Sequence, residues 1–408
     1  MNIFLINHYA GSPKMGMEYR PYYLAKEWMK LGHNVTILVA NNSHIRQYNP
    51  ELNSDILEED IDGINYIWVN TPKYNGNGFG RIKNMFAFIK KTMYKASYFA
   101  NKYNPDVVIA SSTYPSDNYV AKKISKLSGA KYIYEVHDLW PLSPMELGGM
   151  SKLHPFIVAM QHAESFAYRK ADAVVSMLPK TQEHMKYHGL DLKKWHYIPN
   201  GIVLNDWLNP TNLPVKLAEK IKELKVKHKT IIGYTGGHAP SNSLTTLIKA
   251  AELLTNENRI HFLFVGDGIE KDNLISQAKN LNNISFFGSI PKLSMPKLLK
   301  EIDIAVIGSV KSSLYRFGVS PNKLIDYMMA KKPIIQYIDA GNDILKEANA
   351  GISVEPENPK AIVDAINKLL NTPQKELNKM GENGHDFIIK HHDYKVLAKK
   401  FIECVNML

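Results

Sequence analysis

The sequence predicts an α/β protein of two Rossmann-like domains, and three observations support this prediction. The chain has 408 residues, 45% of them hydrophobic, which is too long for one ordinary core and suits two domains of about 200 residues. Apolar runs of strand length alternate with amphipathic helical stretches, which is typical of a parallel sheet covered by helices. This alternation restarts near residue 229 with a strand and a glycine-rich turn. We therefore expect two domains that face a central cleft.

The first half begins with a strand and then alternates between helices and strands. Gly32 is expected to end the first helix, because glycine is common just beyond a helix C-terminus. The expected strands are NIFLINHY, HNVTILVAN, DGINYIWVN, PDVVIASS, KYIYEVHD, ADAVVSMLP and WHYIPNGI. The expected helices are MEYRPYYLAKEWMKLG, RIKNMFAFIKKTMYKASYFANKY, SDNYVAKKISKLSG and HPFIVAMQHAESFAYRKA.

The second half repeats the alternation. Ser320 and Pro321 form a typical helix start, because a hydroxyl can cap the first turn and proline needs no amide donor there. The expected strands are TIIGYTGG, RIHFLFVGDG, ISFFGSI, DIAVIGSV, KPIIQYI and GISVEP. The expected helices are SLTTLIKAAELLT, one after the GDG turn, SMPKLLKEI, SPNKLIDYMMAKKP and a final pair.

Composition narrows the class of protein. Charged residues make up 22% of the chain, as in globular rather than disordered proteins. The single cysteine, Cys404, excludes a disulfide framework and fits a reducing cytosol. The stretch MNIFLINHYAGSP indicates a buried strand rather than a signal peptide, and no apolar run approaches the 18 residues of a membrane span. We expect a cytoplasmic protein.

The positive charge of the chain is concentrated in one segment. The formal net charge is +11, and residues 81–131 carry ten Lys and Arg against Asp106 and Asp117. Such a segment suits nucleic acid, anionic lipid or an anionic substrate, or is simply a solvated lysine-rich surface. In the predicted helix from Arg81 to Tyr103, apolar residues are flanked by lysines that include Lys90, Lys91 and Lys95. Such a helix can lie at an anionic membrane surface, or it can bury its apolar side against the sheet, which is the usual arrangement. The pattern by itself leaves both open.

The candidate functional residues follow the strands. Open parallel sheets bind ligands beyond the carboxyl ends of their strands, and glycines at those turns let the backbone approach a phosphate. The four turns at this edge of the second half, three of them with glycine, therefore favour a nucleotide. The candidates are the loop from His8 to Glu18 with Gly11 and Gly16, Ser111, Ser112, His137, Asp138, Gly236, Gly237, His238, Gly266, Asp267, Gly268, Gly288, Ser289 and the helix start at Ser320.

Lys323 is unusual because it falls in the first turn of a helix, where the helix dipole favours negative charge. Asp326 lies one turn further on the same face. One interpretation is an i,i+3 salt bridge, worth about 0.2–0.5 kcal/mol. The other is that Lys323 binds an anion that is not part of the protein. The stretch by itself leaves both interpretations open.

Three further patterns are weaker signals. The D-x-D form of Asp60-Ile61-Asp62 binds a metal–nucleotide complex in some sugar transferases, but Gly63 follows, which favours a hairpin turn. GYTGGHA does not match G-x-G-x-x-G, which disfavours a dehydrogenase. Five histidines show no zinc spacing with cysteine or acid partners, so we expect solvated or core histidines and no metal: His162, His184, His188, His391 and His392.

Seven stretches together resemble the retaining, GT-B-fold glycosyltransferases of family 4 over essentially the whole chain. They are specific in their order and spacing, and the set is most similar to a bacterial subgroup that builds O-antigen and capsule, including N-acetyl-L-fucosamine transferases. The resemblance implies an acceptor-side domain over 1–203, a nucleotide-sugar-binding domain over 204–388, and a helix over 389–408 that returns to the first domain. The stretches are HYAGSPKMGMEYRPYYLAKEW, YEVHDLWP, RKADAVVSMLPK, YIPNGI, LFVGDGIEKDNL, ISFFGSI and SPNKLIDYMMAKKP.

The resemblance also implies a donor site, from which this chain departs in part. Of the two glutamates of the family, the second corresponds to Asp326, which would bind the ribose, and the first falls on Gly318. The arginine and lysine of the family fall on Gly237 and Asn242, so that Lys323, with Arg316, would neutralise the diphosphate. The implied donor-binding residues are Gly16, Gly236, Gly237, Gly266, Gly288, Arg316, Asn322, Lys323 and Asp326.

His137 and Asp138 are the implied catalytic residues, with His137 over the donor sugar; the alternative is a structural His137 paired with Asp138. The implied reaction moves an N-acetylated hexosamine or N-acetyl-fucosamine from a UDP-sugar to a polyprenyl-diphosphate-linked glycan at the inner face of the membrane. It needs no metal or other cofactor. Two alternatives remain: a GT-B-fold sugar-nucleotide 2-epimerase, and a basic nucleic-acid-binding protein, for which no recognition module is seen.

Overall fold

The structure, a computed structural model, describes residues 1–16, 19–76 and 78–408. They form two compact units, one comprising Met1–Asn200 with Tyr394–Leu408 and the other Gly201–Asp393. The boundaries expected at residues 203 and 388 lie close to these limits. Met17 and Glu18 lie outside the described residues. The first predicted helix was expected to begin there, and the candidate loop from His8 to end there.

The first unit is built on an eight-stranded sheet in the order β3-β4-β2-β1-β5-β6-β7-β8. Its central strands are buried along their whole length, as expected for a parallel sheet covered on both faces. All its neighbouring strands run parallel except β3 and β4, which form an antiparallel hairpin. The strands are β1 (Asn2–Ile6), β2 (Asn34–Ala40), β3 (Ile56–Ile61), β4 (Ile64–Val69), β5 (Val107–Ala110), β6 (Lys131–Val136), β7 (Ala173–Ser176) and β8 (Trp195–Tyr197).

Eight helices belong to the described part of this unit. The long predicted helix that begins near Arg81 is two helices, because the chain leaves helical geometry at Lys95. The helices are α1 (Arg20–Lys30), α2 (Phe79–Tyr94), α3 (Ala96–Tyr103), α4 (Asp117–Ser128), α5 (Leu142–Glu146), α6 (Pro155–Lys170), α7 (Gln182–Tyr187) and the last helix of the chain, Tyr394–Asn406.

The last helix of the chain packs on α1. The ring of Trp28 on α1 lies 5.1 Å from that of Phe401, and its Nε1 donates a hydrogen bond to the backbone oxygen of Ala398 at 3.2 Å. All three of these residues are buried. The C-terminal segment is therefore part of the core of the first unit.

The second unit has a six-stranded, all-parallel sheet in the order β11-β10-β9-β12-β13-β14. Its first strand begins at Thr230, at the restart that the sequence predicts. The strands are β9 (Thr230–Thr235), β10 (Ile260–Val265), β11 (Ile284–Phe287), β12 (Ile304–Gly308), β13 (Ile334–Tyr337) and β14 (Gly351–Ser353). The helices are α8 (Val215–Val226), α9 (Leu244–Leu253), α10 (Lys271–Gln277), α11 (Met295–Glu301), α12 (Asn322–Met329), α13 (Ile344–Glu347), α14 (Pro359–Leu370) and α15 (Gln374–His392); the last helix of the chain is then α16.

The D-x-D stretch is a hairpin turn, as predicted. It joins β3 to β4, and Asp62 and Gly63 both have positive φ, at 56° and 87°, as a two-residue type I′ turn requires. The Oδ1 atom of Asp60 accepts a hydrogen bond from the backbone N–H of Gly63 at 2.9 Å. Its carboxylate is therefore used to close the turn.

Candidate active site

Polar side chains from three neighbouring strands meet at the carboxyl edge of the first sheet. The Nε2 atom of His137, just beyond β6, lies 2.9 Å from Ser111 Oγ and 3.2 Å from Glu135 Oε2. Ser111, just beyond β5, donates to Glu135 Oε2 at 2.6 Å and accepts a bond on its backbone oxygen from Asn7, just beyond β1. The pairing of β1, β5 and β6 brings these residues together.

Glu135 is a fully buried carboxylate that is paired with Arg20. The Nε and Nη2 atoms of Arg20 lie 3.1 and 3.0 Å from Glu135 Oε1, and the guanidinium also donates to the backbone oxygens of Pro199 and Ile198. Burial raises the pKa of Glu135, but the charge of Arg20 and the bonds from His137 and Ser111 outweigh it and bring the pKa to about 2. A permanent negative charge thus stands beside His137.

Sequence reasoning missed Glu135 and Arg20. The available signal was a carboxylate in the interior of the apolar strand KYIYEVHD, since acids are rarely buried unless they are paired. Glu135 is also a partner of His137, for which the alternative interpretation was a structural pairing with Asp138. The side chain of His137 contacts Glu135 and Ser111, and Asp138 is an exposed residue.

Two more buried titratable groups lie at this edge. Asp117 lies at the start of α4. Burial raises its pKa to about 7, although hydrogen bonds from Ser112 act in the opposite direction. Burial, with the charge of Arg46 next in size, lowers the pKa of His8 well below its usual value. The Nδ1 atom of His8 lies 2.7 Å from the hydroxyl of Tyr114. His8 is therefore neutral at pH 7.

The loop after β1 is the predicted phosphate-lining segment of the first unit. Gly16 adopts a positive φ of 72°, a backbone geometry that glycine favours. A Cβ atom at this position would lie 3.1 Å from the side chain of Gln47. The backbone turn predicted at Gly16 is thus present among the described residues.

In the second unit, two of the predicted glycine turns lie against each other. A Cβ atom at Gly266, after β10, would lie 1.9 Å from the backbone oxygen of Gly236, after β9. A Cβ atom at Gly236 would lie 2.4 Å from Cε of Lys323. Only glycine fits at these two positions, and the space left at Gly236 is used by the lysine stem.

Lys323 reaches from the first turn of α12 across to the loop after β9. Its Nζ donates to Asn242 Oδ1 at 3.0 Å and lies 5.3 Å from the centre of the Tyr234 ring. Both Lys323 and Asp326 are described, and no ion pair joins them. The i,i+3 salt-bridge interpretation is therefore wrong. Burial lowers the pKa of Lys323 to about 8.

The loop around this ammonium is fixed by further hydrogen bonds. Asn242, in the 3-10 turn Pro240–Asn242, donates to the backbone oxygen of Gly237 at 2.8 Å. The hydroxyl of Tyr327, on α12, accepts from the backbone N–H of Thr235 at 2.8 Å. The start of α12 and the end of β9 are thus held together on both sides of Lys323.

Asp326 lies one turn along α12 and is partly buried. Burial raises its pKa to about 6, with Lys292 opposing the shift and Asp206 adding to it. The position eight residues earlier, where the resembling family has a glutamate, is Gly318 with φ 94° and ψ 173°. This backbone region is accessible essentially to glycine alone, so the loop of this chain cannot carry an acid there without changing shape.

The remaining donor-site candidates lie on the surface of the second unit. Gly237, Gly288 and Asn322 are exposed. Arg316, in the 3-10 turn Ser313–Phe317, is also exposed, and its guanidinium lies over the Phe317 ring at 4.2 Å. Arg316 is therefore held by its own turn, whereas Lys323 is enclosed beside the turn of Gly236.

The α2 helix presents both apolar and basic surface. Met85 and Phe88 are buried, but Phe86 is 68% exposed and Phe79 is 80% exposed. The apolar stripe is thus wider than the part that packs inward. A groove of about 770 Å³ runs between α2 and α6, and is lined chiefly by Ile82, Met85, Phe86, Ile89, Phe156, Val158 and Met160.

Lysines at the end of α2 and at its C-terminal cap border a separate depression of about 620 Å³. Lys90, Lys91 and Lys95 line it together with Lys123. The ammonium of Lys91 pairs with Asp55 at 2.8 Å. Within the described residues, no helix has the length and apolar character needed to cross a bilayer.

Two of the histidines lie beside an acid that the spacing in the sequence did not reveal. His184 and His188 have an acid partner, since the carboxylate of Glu164 on α6 lies 3.1 Å from His184 Nε2. The side chains of Glu164, His184 and His188 form a cluster with ligand atoms within 4.8 Å of one another. The sequence pattern did not show it because the acid comes from a different helix.

Two family models match the chain. Each of them covers most of a different unit. Residues 15–201 match the glycosyl transferase 4-like domain, and residues 215–387 match the glycosyl transferases group 1 domain. The chain is 23% identical to a probable glycosyltransferase, WbjE, of Pseudomonas aeruginosa over 285 residues, 69% of each chain.

Solved structures show the same fold. HepE of Anabaena, in complex with UDP and glucose, superposes with a TM-score of 0.69 at 16% identity over the whole of both chains. WaaG, a glycosyltransferase involved in lipopolysaccharide biosynthesis, gives a TM-score of 0.66 at 14% identity over 99% of each chain. The fold is therefore the GT-B architecture of two Rossmann-like units. With both family models matched in order, the chain belongs to the GT-B glycosyltransferases of the family 4 type.

Proposed function

We propose that this glycosyltransferase binds a UDP-sugar and transfers the sugar, with retention of anomeric configuration, to a lipid-linked glycan. The observation that supports donor binding most directly is the position of the Lys323 ammonium beside Gly236. It is enclosed at the glycine turns, and none of the described carboxylates pairs with it. A cation held in this way, beside a helix start and close-packed backbone turns, is suited to a diphosphate.

The charge of Lys323 gives the site its chemistry. When the bond between sugar and diphosphate breaks, negative charge builds up on the leaving phosphate, and a fixed cation with aligned amides stabilises it. Asp326, one helical turn away, is our candidate for accepting hydrogen bonds from the ribose hydroxyls. In this mechanism the departing phosphate takes the proton of the acceptor, so that no protein nucleophile or metal is required.

His137 and Asp138 are our candidates for the residues that face the sugar. Glu135 supports this role for His137, because a permanently ionised carboxylate hydrogen-bonded to an imidazole fixes the orientation of the ring. Asp138 is exposed at the end of β6 and is thus available to a ligand.

Uridine is the expected base because the structural relative HepE binds UDP, and an N-acetylated hexosamine or N-acetyl-fucosamine is the expected sugar because of the resemblance to N-acetyl-L-fucosamine transferases. Neither the base nor the sugar follows from the geometry of the turns. The proposal therefore separates into a diphosphate part, which rests on Lys323, and a specificity part, which rests on relatives.

The proposed acceptor is a polyprenyl-diphosphate-linked glycan at the inner face of the membrane. The α2 helix and the residue after it support this acceptor. Phe79 and Phe86 are exposed on α2, and lysines at positions 90, 91 and 95 lie nearby. Apolar groups insert at the boundary of a bilayer, and each lysine near an anionic surface adds about 1 kcal/mol of binding. Involvement of WaaG in lipopolysaccharide synthesis agrees with an acceptor of this class.

The test combines donor screening with a transfer assay. Thermal unfolding is measured with panels of UDP-, GDP- and dTDP-sugars, and a donor at 100 times its Kd stabilises by about 2.7 kcal/mol. The stabilising donor is then incubated with and without a polyprenyl-diphosphate-linked glycan. Transfer of sugar only when the acceptor is present supports the proposal. Formation of an epimer or free sugar without acceptor would favour the epimerase alternative, and stabilisation by none of the donors would contradict the donor site.

A further inference from the structure

A cluster of two imidazoles and a carboxylate links α6 to α7, apart from the residues considered above for the donor and the acceptor. Glu164 lies in the middle of α6 and is 1% exposed. His184 lies on α7, and His188 follows directly after its last residue. The Nε2 atom of His184 is 3.1 Å from Glu164 Oε1, and the rings of the two histidines are 4.6 Å apart.

Neighbouring side chains orient this cluster. Tyr168, one turn along α6, donates its hydroxyl to Glu164 Oε1 at 2.9 Å. The amide nitrogen of Gln161 lies 2.8 Å from Glu164 Oε2 and 2.9 Å from His188 Nδ1. A side-chain amide thus stands between the carboxylate and the second imidazole, in a position where a cation would have favourable contacts with both.

We infer that Glu164, His184 and His188 form a binding site for a divalent transition-metal ion of the Zn²⁺ class. Two imidazoles and one carboxylate are ligands that such ions prefer, whereas Mg²⁺ and Ca²⁺ prefer oxygen alone. His184 on α7 and His188 at its C-terminal cap are four residues apart, which is the spacing of a common zinc-binding pair. Zn–ligand bonds of about 2.0–2.2 Å place tetrahedral ligands about 3.3 Å apart, close to the 3.1 Å between His184 and Glu164.

A metal site also needs ligands that are held in a fixed orientation, and the neighbouring side chains provide this. The hydroxyl of Tyr168 holds the carboxylate of Glu164, as outer hydrogen bonds do around protein metals.

The role of the ion is to fix α7. This helix has only six residues, far fewer than the roughly 12–15 that an isolated helix needs. A metal ion bound by Glu164, His184 and His188 would join α7 directly to the longer α6. We therefore expect metal binding to raise the unfolding temperature of the protein without being needed for the transfer reaction.

The competing explanation is a metal-free network in which the amide of Gln161 bridges Glu164 and His188. The two explanations differ for the change Gln161→Ala. If the network is metal-free, Gln161→Ala removes one hydrogen bond each from Glu164 and His188, and neither the parent nor the variant binds a metal ion. If the site binds a metal, Gln161→Ala removes a competitor, and metal affinity is kept or raised.

The experiment uses full-length protein prepared without a histidine tag and stripped with a chelator. CoCl₂ is titrated in, with the visible absorption of coordinated Co²⁺ as the readout, and ZnCl₂ is then used to displace it; MgCl₂ is the negative probe. We expect one equivalent of Co²⁺ per chain, displaced by Zn²⁺. Loss of His184 or His188, as His184→Ala or His188→Ala, should weaken binding by at least about 10–100-fold, the effect of losing even an outer-shell partner.

His162→Ala is the matched control, since His162 lies on α6 two residues before Glu164 and is hydrogen-bonded to Tyr119 instead. This variant should bind Co²⁺ like the parent. The inference is overturned if the unmodified protein gives no Co²⁺ band, or if the band is the same in His184→Ala and His188→Ala as in the parent. The first of these outcomes needs no variant, so misfolding of a variant cannot mask it.

Discussion

The Nζ atom of Lys323 lies 3.0 Å from the Oδ1 atom of Asn242, although the two residues are 81 positions apart in the chain. The contact joins the first turn of α12 to the loop after β9, across the space that Gly236 leaves open. In the family that the chain resembles, a lysine stands at the position of Asn242. Here the amide at that position holds an ammonium that α12 supplies.

Replacing Lys323 by alanine should weaken donor binding strongly. The change removes a charge-assisted contact to phosphate worth about 1.5–3 kcal/mol, which corresponds to roughly 10- to 150-fold in affinity. Calorimetric titration with a UDP-sugar measures it. Lys368→Ala, at an exposed lysine on α14, is the control and should bind like the parent. Equal affinity of Lys323→Ala and the parent would show that Lys323 has only a structural role.

Donor affinity should depend on pH with a maximum between about 6 and 8. Asp326 has a pKa of about 6 and loses its charge as the pH falls below that value. Lys323 has a pKa of about 8 and loses its charge as the pH rises above that value. Both losses weaken contacts to the donor, by up to tenfold per pH unit. A UDP-sugar is the suitable ligand, because its diphosphate diester does not titrate in this range.

Two variants test which residue causes the fall in donor affinity on each side of the maximum. Asp326→Asn should flatten the acid limb, and Lys323→Arg should flatten the basic limb, because arginine stays charged. A profile that keeps both limbs in these variants would assign the titration to other groups.

Glu135→Gln should destabilise the first unit by about 3–5 kcal/mol, because the guanidinium of Arg20 is left buried without its carboxylate. The pKa of Glu135 is held at about 2 in the folded protein, below its unfolded value. Its contribution is therefore fully present above about pH 4.5 and is lost as the pH falls towards 2. The difference between parent and variant should shrink over that range.

Tryptophan fluorescence during urea unfolding measures this effect, since four of the five tryptophans belong to the first unit. Glu58→Gln is the control, because it removes one partner of the surface pair with Lys102. Such pairs contribute about 0–1 kcal/mol. A Glu135→Gln effect no larger than the Glu58→Gln effect would contradict the structural importance of the buried pair.

The transfer reaction should proceed without a divalent metal. Asp60 closes a hairpin turn, and asparagine accepts the positive φ of Asp62 readily. The double change Asp60→Asn with Asp62→Asn should therefore leave turnover within a few-fold of the parent, and EDTA should leave it unchanged. Complete loss of turnover in EDTA that manganese restores would require a different mechanism.

Binding to anionic liposomes should depend on α2. The double change Lys90→Glu with Lys91→Glu removes two lysine contributions of about 1 kcal/mol each, so partition should fall by about 30-fold or more. Sedimentation with anionic and neutral liposomes at low and high salt measures it. Donor affinity should be unchanged, which separates this effect from misfolding.

Phe86→Ser tests the apolar part of the same surface, since Phe86 is largely exposed and contributes little to the core. It should reduce binding at high salt, where the electrostatic part is screened. Equal partition of the parent onto neutral and anionic liposomes at low salt would remove the electrostatic part of the proposal.

The sequence by itself determined the two α/β units, most of their elements and the edge of each sheet at which the candidate residues lie. The reason is that hydrophobic period and glycine position are local signals. The hairpin at Asp60 and Asp62 was predictable for the same reason, because Gly63 follows within the turn. The glycine turns at Gly236 and Gly266 were also found, since only glycine allows such close approach.

Only the tertiary structure decided which side chains meet. Lys323 and Asp326 are neighbours on one helix face, yet Lys323 extends instead to Asn242, a contact that depends on how α12 packs on β9. Arg20 finds Glu135 across 115 positions of chain, and Glu164 meets His184 and His188 from another helix. Long side chains are flexible and take the partner that packing offers, so their pairing and the resulting pKa shifts follow from the fold rather than from spacing in the sequence.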